Sequence, residues 1–349
     1  MKIDLTQIIN KCANADQNEL RRMFNSVLKE IQKSANTKTV QVALNGITTE
    51  FKVEILTEEI NQISEAHTLE RAKYYVKRLT KSISEVKPSK INDLNLNRWK
   101  DYDDIITDSL WIFNKRDSSG AHNAGYWGNF IPQIPNQLLR RYTKKGDWIL
   151  DPFVGSGTTL IEAKRLGRNS IGIDLSEDAL KLAEKNLTKE KIQSDVICQT
   201  IKADSSQYDL SSVLKKLGIK NFQFIIMHPP YWDIIKFTKE KNDLSNAAST
   251  EEFLKMFGKV IDNISPYLEK KRFLAVVIGD KYSDGEWIPL GFLTMQEVLE
   301  RSFKLKSVIV KNFEDTTAKR NQKELWRYRA LAGGFYIFKH EYIFLFQKK

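Results

Sequence analysis

Residues 147–167, DWILDPFVGSGTTLIEAKRLG, decide how this chain is read. An apolar run of strand length stops at Asp151, a glycine pair follows, and a helical pattern begins near Thr158. Gly155 and Gly157 permit positive φ and leave no Cβ between the backbone and a ligand. Ser156, Thr158 or Thr159 can cap the helix, whose first turn offers unpaired N–H groups. The next strand-like run, NSIGIDL, ends near Asp174, where a carboxylate can accept hydrogen bonds from ribose hydroxyls. A third, VICQTIKAD, ends at Asp204, placed to meet the rim of an adenine. A tight turn with no ligand and a dinucleotide site compete with this nucleoside reading. Leu160 stands where a dinucleotide fingerprint needs its third glycine, and GSGTT lacks the lysine of a phosphate loop.

Outward from this unit the alternation continues. FQFIIMHPP, RFLAVVIGDKY, KLKSVIVKN and HEYIFLFQK read as further strands, with helical runs between several of them. The pattern predicts an α/β, Rossmann-like fold: a mostly parallel twisted sheet with helices on both faces. Upstream the texture changes. LTQIINKC, NELRRMFNSVLKEIQ and TLERAKYYVKRLTKSI carry helical periodicity, and KTVQVALNGITTEFKVEIL reads as a hairpin about Asn45-Gly46. A smaller, mainly helical N-terminal domain is therefore expected over 1–95 and the catalytic domain over 96–349, with a polar linker near 86–104.

No apolar run approaches the roughly 20 residues needed to cross a bilayer, and MKIDLTQ is unlike a signal peptide, so a cytoplasmic protein is expected. Cys12 and Cys198 make no disulfide framework, and Cys198 in DVICQTI reads as a core residue. The four histidines show no metal-ligand spacing, so no metal is expected. The net charge of +11 favours a polyanionic partner, since neutralised phosphates release counterions.

The strand FQFIIM runs into His228-Pro229-Pro230-Tyr231-Trp232. Prolines remove backbone donors and stiffen the chain, so the strand ends in a rigid aromatic projection suited to holding something flat. DPFVGSGTT at 151–159 followed by HPPYW at 228–232 resembles the amino-group DNA methyltransferases that use S-adenosylmethionine. The resemblance covers about 105–349, including TDSLWIF, GNFIPQIPNQLLRRYTKKGD and HEYIFLF. It implies that Asp151, Phe153, Gly155, Ser156, Gly157 and Thr158 line the donor pocket. Asp174 would then hold the ribose, Asp204 the adenine edge, and Phe130 and Pro132 would complete the pocket. It further implies that Tyr231 stacks on a base rotated out of the duplex, while residue 228 and the Pro229 carbonyl face its exocyclic amine.

The family usually carries Asp, Asn or Ser at the first motif position; here His228 offers one nitrogen lone pair, and only when neutral. Activity is therefore expected to fall below a pH of roughly 6.5. Neither cysteine follows a proline, which argues against a C5-cytosine nucleophile. Trp232 leans the target to N4 of cytosine over N6 of adenine.

For DNA contact, AKRNQKELWRYRALAGG interleaves Lys319, Arg320, Lys323, Arg327 and Arg329 with Trp326 and Tyr328. Trp232 is a further candidate, and Lys73 and Lys77 share a helix face. The N-terminal domain is the candidate for reading sequence. The expected partners are double-stranded DNA and, in a restriction-modification or defence setting, a cognate restriction endonuclease. An RNA base-amine methyltransferase and a catalytically idle cofactor- or DNA-binding module are the alternatives.

Overall fold

The computed structural model describes residues 2–33, 37–122, 125–191, 195–283, 285–313 and 323–349. The chain divides into two units, Met1–Ile105 and Ile106–Lys349. This division falls later than 95/96 because the polar stretch is bonded to the first unit. Arg98 donates to the Glu50 carbonyl, Lys100 pairs with Glu58 and Glu59 at 2.8 Å each, and Lys52 pairs with Asp103 at 2.9 Å.

In the first unit, β1 (Lys2–Asp4) runs parallel to β2 (Thr39–Leu44), which pairs antiparallel with β3 (Ile47–Lys52). Leu44 faces Ile47 across a two-residue turn in which Asn45 and Gly46 have φ of 49° and 83°. Two positive φ values give the turn twist that suits a hairpin, and Asn-Gly tolerates them. Helices α1 (Thr6–Cys12), α2 (Gln17–Gln32), α3 (Val53–Ser64) and α4 (Leu69–Ser84) accompany this sheet. Asp16 and Glu19 close a capping box at the start of α2, and Thr68 caps α4. Leu20, Phe24, Val27 and Ile31 of α2 pack with Leu56, Ile60, Val76, Leu79 and the β2 valines in a core of this unit's own. Helix α3 begins inside the stretch read as hairpin: after Lys52, VEILTEEINQIS switches from alternate to three- and four-residue apolar spacing.

The second unit holds β4 (Leu110–Trp111), β5 (Trp148–Asp151), β6 (Asn169–Asp174), β7 (Cys198–Lys202), β8 (Phe222–Met227) and β9 (Leu268–Ile278). It continues with β10 (Lys281–Ser283), β11 (Glu286–Ile288), β12 (Phe303–Asn312) and β13 (His340–Lys348). The main sheet has the order β4-β12-β13-β9-β8-β5-β6-β7, while β10 and β11 form a small hairpin. Every neighbouring pair in the main sheet is parallel except those made by β13. The intervening helices are α5 (Gln133–Tyr142), α6 (Thr158–Arg165), α7 (Glu177–Lys189), α8 (Leu210–Leu217), α9 (Thr250–Ile264), α10 (Leu290–Leu299) and α11 (Lys323–Gly333). Strands covered on both faces need unbroken apolar runs, and FIIM of β8 and FLAVVI of β9 are buried throughout. The fold is thus α/β and Rossmann-like. From β5 the chain builds outward through β6 and β7, then returns to lay β8 on the other side of β5. The crevice at such a reversal, above the carboxyl ends of the strands, is where open α/β sheets bind ligands.

Candidate active site

The glycine loop and the His-Pro-Pro-Tyr segment leave neighbouring strands at the same sheet edge. β5 and β8 are paired in parallel, Ile149 with Phe224 and Leu150 with Ile225, so both sequences after them emerge at the carboxyl end. Asp174 closes β6 and Asp204 follows β7 at that edge.

Asp174 organises the loop. Its Oδ2 accepts from the Gly155 N–H at 2.9 Å and its Oδ1 from the Ser176 N–H at 2.8 Å. Burial raises its pKa. Asp151 is almost fully buried, and burial pushes its carboxyl up to about 7 although Oδ1 accepts from the Phe153 N–H at 3.0 Å. Asp204 accepts from the Ser206 N–H at 2.8 Å and from the Gln207 amide at 3.1 Å, holding the turn after β7.

The two glycines do different jobs. Gly155 has φ of +49°, and a Cβ there would lie 3.0 Å from Cε1 of Tyr126. Gly157 has φ of +86°, and its Cβ would meet Ala183 of α7 at 3.0 Å, so close helix packing also requires glycine there. The expected hydroxyl cap is not found: Gly157 itself is the N-cap of α6, with no side-chain bond. Thr158 instead bonds Asn129, and the Ser156 carbonyl accepts from Asn186 at 3.0 Å. The first turn of α6 thus lacks a side-chain cap. With a buried acid beside it and no Cβ at Gly155, the crevice fits a cationic nucleoside such as S-adenosylmethionine.

Tyr126 roofs this loop and escaped the sequence reading. It stacks on Phe237 at 6.3 Å, and burial together with Asp174 and Asp243 raises its phenol. Its only signal was the aromatic run GYWGNF, which ends at Phe130. Phe130 itself stands edge-on to the His228 imidazole at 4.8 Å, and Pro132 is the buried N-cap of α5. Phe153 packs partly buried against the core.

At the end of β8, His228 Nε2 lies 3.2 Å from the Tyr231 hydroxyl, which donates to Glu341 Oε2 at 2.7 Å. Lys311 Nζ lies 3.1 Å from Glu341 Oε1, and both residues are buried. Burial drives the His228 pKa down to about 4, opposed by Glu341 and assisted by Lys311. The Tyr231 hydroxyl is raised well above its usual value by burial and by Glu341. Among the described residues the Pro229 carbonyl accepts no hydrogen bond, while Pro229 is buried and Pro230 half-buried. Trp232 is not free to stack on both faces: its indole N–H donates to the Ala247 carbonyl at 2.8 Å and Lys281 Nζ sits 3.7 Å over its ring. Lys281 also pairs with Asp233.

Of the basic candidates, Lys319 and Arg320 lie outside the described residues. Lys323 begins α11, on which Arg327, Tyr328 and Arg329 are exposed and Arg329 lies 5.3 Å over the Trp326 ring. Lys73 is tied down, donating to the Ala13 carbonyl at 3.0 Å, whereas Lys77 is exposed. No group of acids, histidines and cysteines fit to hold a metal occurs among the described residues, and no helix there is long and apolar enough to cross a membrane.

Comparison with known proteins adds the family. A DNA methylase model of the N6/N4 type matches residues 8–185 and 222–349, so the match enters the first unit, beyond the reach of the motifs read from sequence. The Type II methyltransferase M2.DpnII of Streptococcus pneumoniae is 32% identical over 187 residues, covering 50% of this chain and 69% of that protein. The Type II methyltransferase M2.LlaDCHI of Lactococcus lactis subsp. cremoris is 53% identical over 66 residues, 18% of this chain and 24% of that one. A putative ribosomal RNA large subunit methyltransferase of Methanocaldococcus jannaschii is 28% identical over 172 residues, 46% of this chain and 41% of its own. With a strand-reversal crevice, a glycine loop and His-Pro-Pro-Tyr on adjacent strand ends, the chain belongs to the amino-group (N6/N4) DNA methylase family, as an S-adenosylmethionine-dependent DNA methyltransferase.

Proposed function

We propose that this enzyme methylates the exocyclic amine of a base flipped out of duplex DNA, at N4 of cytosine ahead of N6 of adenine. The observation that carries this reading is the direct pairing of β5 with β8, which brings the glycine loop and His-Pro-Pro-Tyr to one crevice. S-adenosylmethionine supplies an electrophilic methyl group on a positively charged sulfur. Asp151 would meet the donor's positive charge, Asp174 its ribose hydroxyls and Asp204 its adenine edge, with Tyr126 keeping water from Gly155.

An exocyclic amine is a weak nucleophile because its lone pair is delocalised into the ring. The Pro229 carbonyl and a neutral His228 nitrogen each accept one amine N–H and draw the protons out of the ring plane. The relocalised lone pair would be available to the methyl group the bound donor supplies, the carbon–sulfur pair leaving with sulfur, and one amine proton would move to His228. Fixing the amine between the Pro229 carbonyl and His228 would supply further acceleration through orientation. The Tyr231 ring offers a face for the base, and stacking of this kind is worth about 1–3 kcal/mol. Exposed Arg327, Tyr328 and Arg329 on α11 suit phosphate contact, and Lys319, Arg320 and Lys323 add to the same basic segment. Lys77 offers a second contact on the first unit, the candidate for reading sequence. The names of M2.DpnII and M2.LlaDCHI favour a restriction-modification setting with a cognate endonuclease, and hence the cytoplasm.

The likeness to a putative ribosomal RNA methyltransferase favours RNA as the second reading. Incubation with methyl-labelled donor and either duplex DNA or ribosomal RNA separates the two. Label recovered as N4-methylcytosine in DNA is the expected result, and N6-methyladenine would change only the base. Label in RNA alone would overturn the proposal.

A further inference from the structure

We infer that Lys311, Glu341 and Tyr231 form a buried relay that fixes the tautomer of His228 and aims its Nδ1 lone pair at the target amine. This rests on the reading of His228 as the acceptor facing that amine.

The assignment follows from counting protons. Lys311 on β12 and Glu341 on β13 are direct cross-strand partners, buried, with Nζ 3.1 Å from Oε1. Paired with the Lys311 ammonium, the Glu341 carboxylate offers acceptor oxygens to its other neighbour. The 2.7 Å contact between the Tyr231 hydroxyl and Glu341 Oε2 therefore consumes the phenol's single proton. The Tyr231 oxygen has only lone pairs left for His228, so the 3.2 Å contact requires Nε2 to carry the imidazole proton. In a neutral ring, Nδ1 is then the free acceptor. The imidazole is also held from turning: Phe130 stands edge-on to it at 69° and Tyr231 at 87°.

The relay explains why a family position usually filled by an oxygen acceptor tolerates histidine. An unfixed imidazole can present its N–H rather than its lone pair to the amine, which opposes proton withdrawal. Glu341 removes that ambiguity through Tyr231. When Nδ1 takes the amine proton, the imidazolium keeps its Nε2–H on Tyr231 and its charge faces Glu341. Glu341 and Lys311 are positioning residues, and the Tyr231 hydroxyl acts with them while its ring faces the base.

The test uses full-length protein labelled with 15N at histidine, the His228 signals being assigned by their loss in His228→Ala. Long-range proton–nitrogen correlation reads which ring nitrogen is protonated. Wild type is expected to show a protonated Nε2 and a bare Nδ1. In Glu341→Gln the amide can donate to the Tyr231 oxygen, freeing the phenol to donate to Nε2, so the pattern should invert and kcat should fall at least tenfold with donor KM unchanged. Tyr231→Phe keeps the aromatic face but removes the hydroxyl, and should lose the single tautomer and a similar part of kcat. A protonated Nδ1 in wild type, or a tautomer indifferent to both substitutions, would overturn the relay. So would an inverted tautomer with undiminished transfer. If wild type transfers no methyl group to any nucleic acid while the tautomer still inverts, the functional reading fails and the relay geometry stands.

Discussion

His228 is where the chain departs furthest from its family's usual motif, and its surroundings change the pH behaviour expected of it. A solvent-exposed histidine would lose its lone pair below roughly pH 6.5. Burial lowers this one to about 4, so it stays neutral, and able to accept, across the working range. With donor and DNA saturating, kcat should show no inflection near 6.5 and fall only towards pH 4; a rate that halves near 6.5 would show that the ring is solvated. The same shift makes the native state less stable in acid. The unfolded chain protonates this histidine from about 6.5 but the folded chain only from about 4, so its contribution is whole above 6.5 and is lost as pH falls through that window. The motif itself was legible, since two prolines after a core strand have few structural excuses. Glu341 and Lys311 were not, because their meaning lies in a cross-strand register that joins residues thirty apart in sequence to a loop over a hundred residues earlier.

At the level of elements, the proposed donor half of the site rests on the strand–loop–helix of 148–165. Its geometry depends on Gly172 of β6 as much as on the loop glycines. A Cβ at Gly172 would lie 2.4 Å from Cγ2 and 2.7 Å from Cβ of Val154, which is buried beneath the loop. Gly172→Ala should destabilise the protein by about 1–3 kcal/mol through overpacking, read as a lowered thermal midpoint, and should weaken donor binding as the loop is displaced. An unchanged midpoint and affinity would mean that Val154 has room to move. The sequence showed strand, turn and helix here, and the ends of β6 and β7, because periodicity and glycines are local signals. The second demand on Gly157 was not legible, because positive φ marks ligand cradles and close helix packing alike, and Ala183 of α7 lies a helix away in sequence. Helix α3 was lost to the hairpin because a strand-like β3 runs directly into it, with Lys52 as an unmarked N-cap.

For the whole molecule, the decisive feature is the reversal of strand order between β5 and β8, on which the proposed division into a donor side and a base side rests. That placement was implied by alternating strands and helices but not fixed by them, since the same alternation is compatible with other strand orders. The first unit, with its own core, was visible as a change of texture, although its family match was not. The division of labour across the crevice is best tested by calorimetric donor binding beside single-turnover methyl transfer for two variants, Asp174→Ala and His228→Ala. Losing hydrogen bonds to a charged acceptor costs about 1.5–3 kcal/mol, so Asp174→Ala should bind the donor roughly ten- to a hundredfold more weakly. His228→Ala should bind it as wild type does, yet transfer at least a hundredfold more slowly, within the usual range for a lost proton acceptor of about 10²–10⁴. Donor affinity untouched by Asp174→Ala, or abolished by His228→Ala, would contradict the assignment of the two strand ends.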